Sequence, residues 1–558
     1  MSQADHRSSS ESHSHSTDQQ PHQEFETESS QEVSQTMIDD TDLNPSISNV
    51  ISDVLNSIVL EASNELESAE INDNNSVNDV AISTSPSLPS PEVTLKQDVF
   101  SLLKLAWPSV LFMFFTMLLS TTDSIMVGRR LGTSALASVA LASTIGYITL
   151  WIPASSSFAL DALCNQAVGA QQHRKVGAFV QQGLVVAMSL SVLPIAIYYF
   201  ATPIYLKFGF SENLANQAGT YLRYQVFSVP FFPLMFILGS KVLECQAIVL
   251  PQVVVYAVTN VLNILTNYIF LWKFDFGIKG AAVATGLSRI WPLLFIMVYH
   301  KYTGHFAKVW TPWSKANLTL DLFKKYLKIA LPAVAFFLLE SSAFTTWTLF
   351  ASMLGETSAA IHAVLMSTTS QTYTLCLGLA IAVSIRIGHL IGEGHGKRAR
   401  RLSFASIAIG GSSMATMAIL IFIFKDFIPQ IFVDDQEVIT KASRLMLFAC
   451  GFQIGDGIQA LGNGCIRGLG KTYISASVAF ITYYLVSVPV SYFLSFKFDW
   501  NVSGLWTGIV IALNLAAVLF SFFVHRTDFD AECDKAKARL NAVHGTTVQE
   551  SKELDVLV

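Results

Sequence analysis

The chain has 558 residues, of which 51% are hydrophobic and only 14% charged, with a mean hydropathy of +0.45. Soluble domains carry roughly 25% charged residues, so this composition excludes an ordinary soluble protein and marks an integral membrane one. The formal net charge of -6 combines two opposite regions: residues 1–95 hold 18 acids and one base, Arg7, for -17, and the remainder has 34 bases and 23 acids, for +11. A basic remainder suits a chain whose Lys and Arg gather at one membrane face, and no nucleic-acid partner is implied.

Residues 1–95 are rich in Ser, Gln, Asn and acids, and are expected to be a disordered acidic cytoplasmic tail, because they cannot bury enough apolar surface to offset the entropy of folding. Within them Ile47, Val50, Ile51, Val54, Leu55, Ile58 and Val59 follow the spacing of an amphipathic helix. Isolated short helices are marginal in water, so this stretch is expected to be inert. No cleavable leader is expected, since the first apolar segment lies beyond the tail.

From Val99 to Val524 twelve apolar stretches, each able to cross a ~30 Å hydrocarbon layer as a helix, alternate with short connections. Their approximate spans are 99–127, 135–167, 176–205, 214–243, 250–272, 279–300, 322–353, 357–390, 400–424, 437–465, 473–496 and 503–525. The sequence repeats itself: Pro108, Phe208 and Lys273-Phe274-Asp275 recur at Pro332, Phe432 and Lys497-Phe498-Asp499, each 224 residues on. Six crossings return the chain to its starting side. The expected fold is therefore an all-α integral membrane protein, with twelve transmembrane helices in two parallel-repeat six-helix bundles, at 96–310 and 311–526, and a cytoplasmic C-terminal tail at 527–558. Parallel repeats with a site between the halves are a transporter plan.

Connections after even-numbered helices carry 15 Lys and Arg and the odd-numbered ones 8, which predicts both termini in the cytosol. The six cysteines are single and widely spaced, without the pairing of a disulfide framework or zinc site. Gly468-Leu469-Gly470-Lys471-Thr472 lacks the earlier glycine of a phosphate-binding loop, Cys465 standing in its place, and follows a helix. Neither a cofactor nor an enzymatic centre is expected. An ion gradient is the expected energy source.

Ionisable groups inside membrane helices are costly and few. Asp123 ends a polar stripe late in helix 1, Glu340 lies mid-helix 7, and Asp456 shares a face of helix 10 with Gln459, Asn463 and Arg467. All three acids lack an acidic repeat partner: Asp123 maps to Trp347, Glu340 to Thr116 and Asp456 to Phe232. Glu340, as a carboxyl in hydrocarbon, is the foremost candidate proton carrier, and Phe336, Phe344 and Trp347 on its face suit a flat organic cation, although such spacing also describes plain packing. Asp456 has Arg467 and Arg444 as possible structural partners. Asp161 and Glu244, near the cytoplasmic helix ends, read as structural or gate-forming. Asn260, Asn263 and Asn267 line one face of helix 5, either towards a cavity or in interhelical hydrogen bonds. Tyr373 is a further cavity candidate in helix 8, and His362 in the same helix reads as a packing residue.

Four stretches carry a family resemblance: Asp123-Ser124-Ile125-Met126-Val127-Gly128, Leu160-Asp161-Ala162-Leu163-Cys164-Asn165-Gln166, Arg386-Ile387-Gly388, and Asp456-Gly457-Ile458-Gln459 with Arg467-Gly468. Over 99–525 the chain resembles the multidrug and toxic compound extrusion (MATE) transporters, and Leu-Asp-Ala-Leu-Cys resembles their eukaryotic branch. The resemblance implies alternating access of two bundles, exporting organic cations and other xenobiotics in exchange for protons, with sodium as the alternative ion. It implies that Glu340 and Asp456 form a second-bundle proton and cation site, and that Asp123 corresponds to the helix-1 acid of several prokaryotic members. This chain has Thr345 where eukaryotic relatives often carry a second Glu, and Asn267 where some prokaryotic members have an acid. The expected protein is a monomeric proton-coupled antiporter of the plasma or vacuolar membrane. A lipid or oligosaccharide flippase of the wider superfamily is the alternative, but the few intramembrane cations speak against its Arg-lined cavity.

Overall fold

The computed structural model describes residues 94–554; the acidic tail through residue 93, with its amphipathic stretch at 47–59, lies outside the described residues. Every regular element among the described residues is helical. In chain order the helices are α1 (Leu95–Ser155), α2 (Leu160–Gly169), α3 (His173–Leu190), α4 (Glu212–Gln225), α5 (Leu250–Tyr268), α6 (Gly277–Thr303) and α7 (Leu320–Met353). They continue with α8 (Glu356–Glu393), α9 (Gly396–Phe424), α10 (Gln436–Leu469), α11 (Thr472–Lys497), α12 (Asn501–Arg526) and α13 (Phe529–Leu554).

Twelve membrane crossings emerge once two irregular places are resolved. Among the described residues ten helical stretches are long and apolar enough to span by themselves, and Glu212–Ser228 with Phe231–Glu244 makes an eleventh, bent by 45°. The first stretch, Leu95–Gly169, is 75 residues long, which is two spans. It breaks at Gly132, whose φ of 81° and ψ of -176° are non-helical and strained for any residue with a Cβ. Gly355, its counterpart in the second half, has φ 108° and separates α7 from α8.

The internal repeat reaches the backbone. α5 ends in a π-helical turn, Ile269–Lys273, and α11 in another, Phe493–Lys497. Each is followed by an aspartate with positive φ, Asp275 at 49° and Asp499 at 55°. Aspartate tolerates that region better than most residues, which explains why Lys-Phe-Asp recurs at these points.

α8 and α10 form the spine of the second half, packing on each other and on α9 and α12, while α5 packs on α1 and α6 in the first half. The halves meet tightly at the basic face, where α2, α8 and α10 end. A Cβ on Gly392 would stand 2.2 Å from the carbonyl oxygen of Gln166, and one on Gly169 2.2 Å from that of His389. Gln166 Nε2 donates to the Gly468 carbonyl at 2.9 Å, and His389 Nε2 lies 2.8 Å from the Cys245 carbonyl. At the same face Arg398 binds the buried Asp98 at the start of α1, at 2.7 and 3.3 Å.

The segment expected as a C-terminal tail from 527 is helical and docked. Phe529, Cys533, Ala536 and Leu540 are all buried, and their spacing of four, three and four residues puts them on one face of α13. That stripe is short and carries a cysteine and an alanine, so its apolar character does not stand out in the sequence.

The seam at the basic face gives a direct test. Gly392→Ala should lower the midpoint of thermal unfolding in detergent, through overpacking of about 1–3 kcal/mol. Gly451→Ala, whose Cβ would meet only Val510 at 3.6 Å, should be neutral or stabilising, since Ala is the better helix former. Equal midpoints for the two variants would refute the close approach.

Candidate functional site

In the second half, α7, α10 and α11 bring three polar side chains together. Glu340 Oε1 accepts from Gln459 Nε2 and from the Tyr483 hydroxyl, both at 3.3 Å, the long end of the hydrogen-bond range. Gln459 and Tyr483 are themselves paired, at 2.9 Å from Gln459 Nε2 and 3.2 Å to Gln459 Oε1. The π-helical stretch Phe480–Ser487 of α11 shifts the helix register where Tyr483 sits; such bulges often occur at functional sites.

Asp456, one turn from Gln459 on α10, is 3% exposed, and its buried Oδ2 has no hydrogen-bond partner. Gln459, which binds Glu340, thus links that acid to the turn of α10 that carries Asp456. One turn further along α10, Gln453 Nε2 donates to Thr372 at 2.7 Å. Neither arginine considered as a partner for Asp456 pairs with it among the described residues. Arg467 turns to Asp161 at 3.6 Å and lies over the Phe158 ring at 4.9 Å, while Arg444 is exposed.

The remaining second-half candidates are placed differently from one another. Phe336 and Trp347 share the face of Glu340, as their spacing implies, but that face looks into the bundle. Both are buried in its apolar core, with Trp347 edge-on to Phe344 at 5.0 Å and to Tyr483 at 5.8 Å. Phe344 is only partly buried. Asn463 accepts from Ser475 at 2.7 Å. His362 is a buried packing residue beside Trp506 and Thr348. The aromatic contact between the halves is made by Phe337 instead, whose ring stacks on Trp151 at 5.8 Å and lies 6.2 Å from Tyr147.

In the first half, Asp123 is 7% exposed and fully engaged. Its Oδ1 accepts from Asn263 at 2.9 Å and Asn267 at 2.8 Å, and its Oδ2 from Thr285 at 2.6 Å. Thr285 is linked to Tyr221 at 3.0 Å. Asn260 donates to the carbonyls of Phe115 and Tyr256 at 3.0 and 2.7 Å, tying α5 to α1. The asparagine face of α5 thus meets a carboxylate and the backbone of α1. Thr285 and Tyr221 were not foreseeable, because nothing in an isolated Thr or Tyr signals which carboxylate it will meet.

Between these sites and the basic face lies a buried charge cluster. Lys241 Nζ contacts Asp161 at 2.7 Å and Glu244 at 2.8 Å, all three side chains being at most 5% exposed, and Arg467 of the second half completes it. Lys241 also lies over the rings of Phe158 and Phe236. Asp161 and Glu244 are therefore neutralised within a contact between the halves. Among the described residues no cluster of His, Cys, Asp and Glu is arranged to hold a metal ion.

The chemistry of the carboxylates differs accordingly. Asp123 has its donors and Asp161 its counter-charges, whereas Glu340 has two long hydrogen bonds and Asp456 a buried oxygen without a partner. Two close carboxylates in a medium of low dielectric repel strongly, and a bound proton or cation relieves that repulsion.

Comparisons with known proteins agree with this architecture. The chain is 28% identical to multidrug and toxin extrusion protein 1 of Danio rerio, over 83% of this chain and 78% of that one, and 26% identical to its namesake in Homo sapiens, over 80% and 78%. It shares its fold with the crystal structure of the eukaryotic MATE transporter AtDTX14, at a TM-score of 0.75 and 24% identity, over 80% of this chain and 99% of that one. The MatE family model matches twice, at residues 108–269 and 332–493, and both bounds of the second match lie 224 residues beyond those of the first, the offset of the internal repeat. The chain belongs to the MatE family of membrane transporters, with one copy of the family's unit in each six-helix half.

Proposed function

We propose that the protein is a proton-coupled antiporter that exports organic cations by alternating access, with Glu340 and Asp456 as the shared site for proton and cargo. The observation that carries this reading is the pair itself: two acids bridged through one turn of α10 by Gln459, one with two long hydrogen bonds and the other with a buried oxygen that has none. A proton arriving from the acidic side neutralises Glu340 and weakens the pair's hold on a cation. Loss of the proton restores the charge that binds the next one. Exchange is obligatory because both ligands compete for the same negative charge. The names of the relatives, multidrug and toxin extrusion proteins, support a broad range of organic cargo, and Tyr373 and Phe344 beside the acids suit cations with aromatic parts.

The positive-inside count favours a cytoplasmic basic face, with both termini in the cytosol of a plasma or vacuolar membrane protein. On that orientation the seam between α2, α8 and α10 closes the cytoplasmic side. Transport needs no second subunit, since each chain contains both halves.

Asp123 takes a different part in this scheme. Its three donors come from α5 and α6, so it serves as the tie that fixes those helices to α1, and coupling rests on the second half.

Reconstituted in vesicles with an imposed pH gradient, Glu340→Gln should lose gradient-driven cation flux down to the protein-free background while eluting as the folded wild type does. Normal flux from this variant would end the proposal. A sodium gradient applied at equal pH on both sides should drive no flux in the wild type; flux under that condition would replace the proton by sodium at the same pair.

Asp123→Asn should behave in the opposite way. An amide facing three donors leaves buried groups unpaired, at about 1–3 kcal/mol, so thermal stability should fall while the residual flux keeps its wild-type dependence on the pH gradient. Retained stability with lost pH dependence would instead place coupling in the first half.

A further inference from the structure

We infer that α13 is a strap that holds the two halves together at the basic face and must let go of the first half each time that face opens. The inference rests on the two-half fold and on alternating access, and not on which ion or cargo is moved.

The buried stripe of α13 divides between the two halves. Phe529, Cys533 and Ala536 belong to the apolar core of the second half, together with residues of α8, α10 and α12. Leu540 belongs to a separate cluster that joins α2 and α3 of the first half to the start of α7, with Leu163, Phe179 and Tyr326. Ala536 and Leu540 are only one turn apart, about 6 Å along a helix axis, so the helix crosses from one body to the other within that turn.

Polar contacts repeat the division. On the second-half side, Asp530 lies against Gly396, the first residue of α9, where a Cβ would stand 2.2 Å from its Oδ1. The buried Glu532 binds Lys471, just past the end of α10, at 3.0 Å and is held by Lys535 at 2.8 Å. On the first-half side, Lys175 at the start of α3 donates to the Leu540 carbonyl at 2.7 Å. Between them the Arg539 guanidinium covers the seam: a Cβ on Gly470 would lie 2.6 Å from its Nη1 and 3.1 Å from the Cβ of Ala162. Burial pushes the Arg539 guanidinium below its ordinary range, with Glu532 opposing that shift.

The two attachments differ in strength. Three apolar side chains, an ion pair and a short connection from α12 fix α13 to the second half. One leucine, set where α2 and α3 meet the start of α7, and one hydrogen bond from a lysine fix it to the first. The bond between α13 and the first half is therefore the one that yields, and while intact it favours the state closed at the basic face.

Double electron–electron resonance tests this in the full-length protein, with spin labels at Arg174→Cys and Lys397→Cys, two exposed positions on opposite sides of the seam. The native cysteines are buried or half-buried. Leu540→Asp should raise the ratio of the long-distance to the short-distance population roughly tenfold, since the docking of one leucine is removed, and Lys175→Ala should shift it in the same direction. Leu540→Met, which keeps the apolar contact, should match the parent. Distance distributions unchanged in both Leu540→Asp and Lys175→Ala would overturn the inference, as would a shift in Leu540→Met equal to that in Leu540→Asp. If Leu540→Asp does not fold, Lys175→Ala decides alone, because it removes one hydrogen bond and leaves the buried stripe intact.

Discussion

A carboxylate enclosed by membrane helices must find hydrogen-bond donors, a counter-charge or a removable proton, because water is not there to solvate it. This protein uses each of the three answers at a different depth. Asp123 has donors from three side chains. Asp98 and Asp161 have cations, from Arg398 and from Lys241 with Arg467. Glu340 and Asp456 have too few of either. The first two answers make joints between helices, and in the proposed scheme the third leaves a charge whose partner comes and goes.

The same rule explains why the joints lie where they do. The Asp161, Lys241, Glu244 and Arg467 cluster spans the contact between the halves at the basic face, and Asp98 with Arg398 pins the start of the first half to α9. Ion pairs are well suited to a contact that opens, since water can solvate the separated charges and cancel part of the cost of parting them. Apolar stacking such as Trp151 on Phe337 adds area without that property. Glycines let the backbones of α2, α8 and α10 meet directly, which closes the seam against water while keeping the contact flat enough to separate.

Much of the fold was legible in the chain because it depends on counting: apolar lengths, six crossings per half, and a Lys-Phe-Asp turn recurring at a fixed offset. The acids of the site were legible because Glu340 and Asp456 are rare among apolar neighbours. What surrounds them was not. Tyr483 looks like any aromatic in an apolar helix until a π-helical turn brings its hydroxyl to Glu340. Phe336 and Trp347 share the face of Glu340 by spacing alone, and only packing decides that this face looks into the bundle while Phe337, one residue on, meets the other half. Thr285 and Lys241 find their acids across large sequence separations, where periodicity carries no information. In α13 a stripe of four positions, two of them small, falls below what an apolar pattern reveals.

Duplication gave the two halves one backbone, down to paired π-turns and positive-φ aspartates, but it did not give them one chemistry. Where the second half has Glu340, the first has Thr116, whose hydroxyl donates to its own helix at Phe112. Where the first half has Asp123, the second has Trp347 in its core. A symmetric pair of titrating sites would let each half take up charge without reference to the other. If coupling follows the proposed scheme, confining the unsatisfied acids to the second half, and tying the acid of the first to its own helices, makes one half the body that senses the ion and the other the body it moves against. In that scheme the seam, its ion pairs and α13 are the means by which a change of charge at Glu340 and Asp456 becomes a change of contact between the halves.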